Sequence, residues 1–516
     1  MLCLAWVCVG VAQASIVNVD TGGTYSTIQA ALDAAGVGHT IQVGAGLYTE
    51  NLSLNPAAAQ AVTLRGVGSG SDPATNTVIQ GVGANLDAIH IVHGGTAAGE
   101  RVTLSDLRVT GGRGAGNLGM GVEIGCGGYD VSHITFHDVA CVGNEGHGIG
   151  LNHTGSAGDI LVSQCLLAEN DGLGFRVPLS LGTLGTLTLS GTTVRDNASI
   201  GFLCYTAGTV AITDSVFSGN SSGEHTGGDI VLTQFADGVL TLDNVSITSD
   251  NAESAIRVSG SHDGGTPRLP VSGATISMTD VSIAGTQQQN GTYPSAAIVL
   301  SRFKDLGPGD VTFDNVSIDS TADHGLFIGT VTDSTIDLGG EVAFNGTFNQ
   351  YAIALGQHGN SSKYAPATAT VSAVGCGLTE ADVSDGGTGD IVLLAPPVCD
   401  PGGPYWLCGD GPCCLDGSGS TDPDGPDPGG IVNYLWSVGA LSVDAGTAAV
   451  CPLTWCELCS EFALPGNGQY TLTLTVTDDE GEVTSANTTL TLVPEPATLG
   501  LLALGAFALA RRRRQA

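Results

Sequence analysis

Polar and apolar positions recur in one order through the long N-terminal region: an apolar triplet, a polar turn, a second apolar pair, then a glycine or asparagine corner. Val210-Ala211-Ile212 with Val216-Phe217, Leu240-Thr241-Leu242 with Val245-Ser246-Ile247, and Val311-Thr312-Phe313 with Val316-Ser317-Ile318 are three instances. Aligned on the last apolar residue of the pair, the units are anchored at Val109, Cys141, Leu167, Val194, Phe217, Ile247, Ile283 and Ile318, separated by 32, 26, 27, 23, 30, 36 and 35 residues. Short alternating runs are half-buried strands, and one such unit every few tens of residues is one turn of a solenoid. The longer separations carry loop insertions. Three residues after four successive anchors stand Asn144, Asn170, Asn197 and Asn220. Asparagine tolerates the left-handed backbone of a sharp corner, and stacked amides bond from coil to coil, so an internal asparagine ladder is expected.

The chain enters this repeat through Ile16-Val17-Asn18-Val19, then Tyr25-Ser26-Thr27-Ile28-Gln29-Ala30-Ala31-Leu32, then Thr40-Ile41-Gln42-Val43 and Gly46-Leu47-Tyr48-Thr49-Glu50. These read as strand, short helix with Ile28, Ala31 and Leu32 on one face, strand, and turn. The segment resembles the entry of pectin-lyase-like right-handed parallel β-helices, in which a short helix caps the open first coil. Residues 15–392 are expected to form that solenoid. Enzymes of this fold act on polysaccharides as lyases, hydrolases and esterases. Gly46 to Glu50 is similar to the first motif of pectin methylesterases, but their later Asp-with-Phe-and-Gly and Arg-Pro-Trp motifs are missing. A lyase needs a strong base, commonly Arg or Lys, and often Ca²⁺; an inverting hydrolase needs clustered aspartates near a histidine. Neither cluster is visible.

From about Pro397 the texture changes. Asp400-Pro401-Gly402-Gly403-Pro404-Tyr405, an Asp/Gly/Ser loop from Leu415 to Gly425, Ile431 to Ser437, and the alternating Tyr470 to Thr477 ending in Asp478-Asp479-Glu480-Gly481 follow in order. This resembles the PKD domain, a small immunoglobulin-like β-sandwich, over residues 397–493, with Trp436 as its core tryptophan. The loop aspartates Asp422, Asp424 and Asp427 are candidate Ca²⁺ ligands, weighed against a solvated turn.

The ends carry an address. Leu2 to Val11 is apolar and Ala12-Gln13-Ala14 has the small-x-small form of a signal peptidase site, so residues 1–14 read as a signal peptide, without its usual basic start. At the other end stand Pro494-Glu495-Pro496, an apolar run from Ala497 to Ala510, and Arg511, Arg512, Arg513 and Arg514. Residues 494–516 resemble the PEP-CTERM sorting signal. The resemblance implies a short transmembrane helix at 497–510, a cytoplasmic basic tail, processing by an exosortase at the inner membrane of a Gram-negative bacterium, and a destination at the cell surface or extracellular matrix.

Composition narrows the function. The formal net charge is −35, and outside the tail lysine occurs only at Lys304 and Lys363, which excludes a nucleic-acid partner. Fourteen cysteines in an exported chain favour structural disulfides, including one from Cys376 to Cys399; Cys456-Glu457-Leu458-Cys459 has the spacing of a metal or redox site, but without a histidine nearby it reads better as a disulfide. The densest candidate constellation is His133, His137, Asp138, Glu145, His147 and His153, within two coils, read either as a metal or acid–base site or as solvated surface. The leading expectation is a non-enzymatic surface protein contacting carbohydrate or protein, with no certain cofactor and Ca²⁺ as the one candidate. The alternative is a polysaccharide lyase or hydrolase.

Overall fold

The computed structural model describes residues 15–54, 61–114, 119–127, 131–153, 155–179, 181–221, 228–249, 253–261, 270–285, 295–307, 309–339, 342–356, 367–373, 376–385, 389–393, 397–408, 413–422, 430–453, 460–464, 468–478, 483–493, 504, 505 and 507. Two compact units divide the chain, Met1–Val392 and Leu393–Ala516. The expected signal peptide, Asp424 and Asp427, Cys456 and Cys459, Pro494 to Pro496 and Arg511 to Arg514 lie outside the described residues.

The first unit is a parallel β-helix. Among the described residues its coils supply strands to one sheet of 20 strands and a second of 12. The strand Val239–Thr248 shows how the sequence builds a coil. Leu240 and Leu242 are buried on one side of Asn244, Val245 and Ile247 on the other, and Asn244 takes φ 53. One residue in the left-handed region bends the strand and resets the alternation, so both apolar pairs keep facing inward. Asp214, Asp280 and Asn315 do the same in neighbouring coils. The corner amides bond across coils, Asn244 Nδ2 to Asp214 Oδ1 at 2.7 Å and Asn315 Nδ2 to Asp280 Oδ1 at 2.5 Å.

All eight anchors stand in one unbroken ladder, Val109–Cys141–Leu167–Val194–Phe217–Ile247–Ile283–Ile318, and none is more than 1% exposed. The asparagine ladder is also present. Nδ2 of Asn144, Asn170 and Asn197 each donates to the Oδ1 of the next coil's asparagine at 2.8–2.9 Å, and Asn220 donates to Asp229 Oδ1 at 2.7 Å. The left-handed residues, however, are the ones just before: Gly143 (φ 67), Glu169 (φ 56), Asp196 (φ 53) and Gly219 (φ 61). The preceding residue turns the corner, which leaves each asparagine side chain free to point inward and bond its neighbours.

The open end is closed as the entry pattern predicts. Ile16–Asn18 pairs antiparallel with Gly23–Tyr25 and Thr40–Val43, and the helix Ile28–Asp33 buries Ile28, Ala31 and Leu32. Thr27 Oγ1 accepts from Ala30 N, and the Glu50 carboxylate accepts from Ile28 N and Gln29 N at 2.9 and 3.2 Å. Glu50 therefore satisfies the free N–H groups of a helix N-terminus.

In the second unit, Tyr405–Cys408, Val483–Val493, Gly468–Asp478, Ile431–Val438 and Leu441–Asp444 form a five-stranded sheet in that order, beside a two-stranded sheet of Cys413–Asp416 and Val450–Leu453. Both sheets contribute to one core around Trp436, Leu415, Leu453, Leu474 and Leu490, so the module is a small sandwich and Trp436, at 0% exposure, is its central tryptophan.

One expectation needs correction. Among the described residues there is no disulfide: Cys141, Cys165, Cys204, Cys399 and Cys414 are free thiols, so Cys399 makes no bridge to Cys376. Cys141 stacks between Val109 and Leu167 and serves as a small core hydrophobe, which is why coil spacing never brings it over another cysteine. Nor, among the described residues, is any helix long and apolar enough to cross a membrane; of the run 497–510 only Leu504, Gly505 and Phe507 are described.

Candidate functional site

The second sheet of the β-helix presents a chemically distinct outer face. Its strands Ile89–Ile91, Val122–Gly127, Ile149–His153 and Phe175–Val177 are stacked in register, aligning His90, Glu123, Gly150 and Arg176. Ile89, Ile91, Val122, Ile124, Ile149, Leu151, Phe175 and Val177 on either side are all 0% exposed. By the two-residue period of a strand, the aligned residues must face outward. At about 4.8 Å per rung the row spans roughly 14 Å. Beyond Arg176 the row continues as Leu203, Val231, Arg257, Val299 and Phe327, all at most 5% exposed. The accessible ionisable side chains of the row before Arg257 are thus those of His90, Glu123 and Arg176.

Glu123 is the centre of this stretch. Asn152 Nδ2 donates to its Oε1 at 2.6 Å, and His90 Nε2 lies 3.8 Å from its Oε2. The side chains of His90 and Glu123 are 29% and 13% exposed. Burial pushes the Glu123 carboxyl up to about 7; the Asp87 carboxyl adds to the shift, while the Asn152 amide opposes it. Asp87 is itself held in place, its Oδ1 accepting from Met120 N and its backbone oxygen from Asn51 Nδ2, both at 2.6 Å. His90 Nε2 reaches Gly125 O at 3.0 Å. A carbonyl only accepts, so Nε2 carries the proton.

Gly150 leaves the next rung bare. A Cβ there would lie 2.7 Å from Met120 Sδ, so Met120 closes the floor between Glu123 and Arg176. Arg176 Nη1 reaches Leu151 O at 3.4 Å. Burial lowers the Arg176 pKa, with Tyr205 opposing, yet a guanidinium remains charged at neutral pH. At the corner beside it His147 is 4% exposed, and its Nδ1 accepts from Leu173 N at 3.0 Å. Burial first and the Arg176 charge second push His147 down to about 3, so the ring is neutral with its proton on Nε2, which has no hydrogen-bond partner among the described residues.

The residues singled out from sequence are distributed over separate partners. His133 Nδ1 bonds Asp159 Oδ2, which Arg101 Nη1 also contacts; Arg101 is clamped further by Ile134 O at 2.8 Å and Thr135 Oγ1 at 2.6 Å. Partial burial raises Asp159, but hydrogen bonds and charge from Arg101 and His133 outweigh it and hold the carboxyl below its ordinary value. His137 Nδ1 lies 3.0 Å from Ser163 Oγ, and Asp138, at φ 50, accepts from Ser69 Oγ at 2.7 Å. These three belong to the strand Val131–Val142 of the first sheet, whereas Glu145, accepting from Gly114 N at 3.1 Å, and His147 lie on the corner leading to the second. The side chain of His153 lies outside the described residues. Among the described residues no three His, Cys, Asp or Glu side chains are grouped to hold a metal; of the loop aspartates only Asp422 is described, its carboxylate packed against Gly430.

Asp87, His90, Glu123 and Arg176 were not evident beforehand, although a signal exists. Ile89-His90-Ile91, Val122-Glu123-Ile124 and Phe175-Arg176-Val177 each place one charged or ionisable residue between two large apolar ones. Such a triplet is a strand buried on one face with a polar side chain on the other. A protonated carboxyl beside a second carboxyl, with a histidine and an amide in reach, is equipped for proton transfer and for binding hydroxyl groups.

Residues 492–514 match the PEP-CTERM protein-sorting motif, so the chain carries an address for export and exosortase sorting. No curated protein matches the chain in sequence. Among solved structures it is similar to the catalytic unit of a GH87 α-1,3-glucanase from Streptomyces thermodiastaticus, at 15% identity and TM-score 0.35, covering 70% of this chain and 66% of that one. It therefore spans slightly less than two thirds of that unit. A mannuronan C-5 epimerase A-module of Azotobacter vinelandii aligns at 14% identity and TM-score 0.35, covering 71% and 94%. An Acinetobacter phage tailspike aligns at 10% identity and TM-score 0.36, covering 89% and 78%. Likeness at this level carries nothing about activity.

Proposed function

We propose that this is an exported protein of a Gram-negative cell surface or extracellular matrix that engages a polysaccharide through the outer face of its second sheet. Residues 1–14 direct export. The run 497–510 then inserts briefly in the inner membrane as a short helix, with Arg511 to Arg514 on the cytoplasmic side, until an exosortase acts at Pro494-Glu495-Pro496. The β-helix, right-handed as parallel crossovers are, is the contacting module, and the PKD-like sandwich is the spacer that carries it. The observation behind this reading is the in-register row His90, Glu123, Gly150 and Arg176, with Asn152 beside it. It offers donors and acceptors on either side of the Gly150 rung, whose outer face Met120 fills. At a net charge of −35 the protein repels polyanions, which favours a neutral glycan. A glycan array of neutral and acidic polysaccharides tests this: binding to neutral chains should fall at least tenfold in Arg176→Ala, and no binding by the unmodified protein would refute it.

A second reading is supported by the raised Glu123 carboxyl. A protonated Glu123 can donate to a glycosidic oxygen as a general acid while water attacks the anomeric carbon; Asp87, within hydrogen-bond reach of Glu123, holds that proton in place and is too close to act as the second carboxylate across the bond. Release of reducing ends should then fall as pH rises through about 7 and vanish in Glu123→Gln, with glycan binding retained. Binding without any release of reducing ends would leave the contact reading and remove this one.

A further inference from the structure

Tryptophan is an apolar body with one polar N–H and is highly buried in most folded modules. Trp436 follows that rule at 0% exposure, and Trp406 departs from it at 68%. The register says where Trp406 sits. Its strand, Tyr405–Cys408, lies at the edge of the five-stranded sheet parallel to Val483–Val493, pairing Trp406 with Thr491 and Cys408 with Val493. Leu490 and Leu492 point into the core, so Trp406 and Thr491 share the outer face, with Gln469 beyond them.

This is the end from which the chain departs. Val493 closes the last strand at 37% exposure, and Ala497, the first residue of the apolar run, follows within about 14 Å of extended chain. The densest acidic run lies elsewhere, although Asp410 and Glu495 each stand two residues along the chain from Cys408 and Val493. Gly468–Asp478 and Val483–Val493 form a hairpin whose connection contains Asp479, Glu480 and Glu482, joined to the opposite end of the strand about 33 Å from Val493. An exposed indole at the departure end, with the densest acidic run at the far end, has the polarity of a membrane-interface anchor, where tryptophan rings sit at headgroup level.

We infer that the Trp406 end of the sandwich rests on the bilayer surface until the sorting segment is removed, with Trp406 seated among the lipid headgroups. The inference rests on the proposed insertion of residues 497–510. It places Pro494-Glu495-Pro496 at the membrane surface, where a membrane-embedded processing enzyme can reach it.

The test uses the full chain, with Trp6→Phe in every sample, in phosphatidylcholine vesicles with and without acyl chains brominated near the headgroup. Flotation reads insertion, and quenching of tryptophan emission reads depth. The protein should float and be quenched by the brominated lipid; Trp406→Ala should float equally and lose at least half of that quenching. A chain that floats with quenching unchanged by Trp406→Ala overturns this inference alone, and a chain that does not float overturns the insertion reading together with it. Retention on insoluble cellulose or chitin that depends on Trp406, without lipid quenching, would make the indole a sugar platform and equally overturn the inference.

Discussion

Replacing Asn170 by alanine takes one rung from the middle of the internal ladder. Its Nδ2 donates to Asn197 Oδ1 at 2.8 Å and to Cys141 O at 3.2 Å, and its Oδ1 accepts from Asn144 N at 3.1 Å and Asn144 Nδ2 at 2.9 Å. Asn197 Oδ1 retains a donor, the Asn170 backbone N–H at 3.2 Å. The Asn144 N–H, the Asn144 amide and the Cys141 carbonyl lose theirs inside the core. A buried polar group stripped of its partner costs about 1–3 kcal/mol, so the variant should lose about 3–5 kcal/mol after partial relaxation. Asn345→Ala is the control: its Nδ2 makes one exposed bond to Ser317 Oγ at 3.3 Å, and removing it should cost at most about 0.5 kcal/mol. Urea unfolding followed by circular dichroism gives the difference. Amide exchange should show the loss centred on the coils around Asn144 and Asn197, because a solenoid transmits stability mainly between neighbours. An Asn170→Ala midpoint indistinguishable from that of Asn345→Ala would refute the ladder as a source of stability.

The Glu123 carboxyl titrates near 7 in the fold against an ordinary 4.5, so its contribution to stability is complete below pH 4.5 and is lost as pH rises through 7. Glu123→Gln should therefore gain on the unmodified protein across that interval, by no more than about 3 kcal/mol; parallel pH–stability profiles would contradict the assigned environment. His147 has the opposite sign: depressed from 6.5 to about 3, it contributes stability above pH 6.5 that is lost as pH falls towards 3. His147→Phe should flatten that acid limb while costing about 1 kcal/mol at pH 7 for the stranded Leu173 N–H, and an unchanged acid limb in thermal melts would count against it. Mass spectrometry of protein recovered from the host's surface should find no peptide from Leu499 to Ala516, and an intact tail there would defeat the sorting proposal.

The inward face of the β-helix was legible because every coil repeats it. Anchors such as Leu167 and Val194 mark the first sheet at a fixed place after a polar turn, and the asparagines follow at a constant offset. Which residue turns the corner was not legible: Glu169 and Asp196 adopt positive φ through the geometry of the stacked coils, against their own preference. The face carrying Glu123 escaped notice for a related reason. The second-sheet strand follows the corner after a loop of variable length, so His90, Glu123 and Arg176 share no fixed offset from the anchors. The histidines between His133 and His147 are close in sequence, but the corner at Asn144 divides them between two faces. Disulfides were expected from composition and compartment, neither of which knows that Cys141 and Cys165 fill core positions.

Those buried thiols bear on how the protein survives outside the cytoplasm. Cys141, Cys165 and Cys204 are at most 3% exposed, and burial pushes Cys165 and Cys204 up to about 12 and Cys141 well above its ordinary value. Oxidation requires a thiolate and a path to it, and the closed coils deny both. The hazard is confined to the interval between emergence from the membrane and closure of the coils. Each molecule with reduced sulfurs at these three positions is one whose solenoid wound shut before an oxidant arrived, and slow-winding variants would identify themselves by cross-linked cysteines.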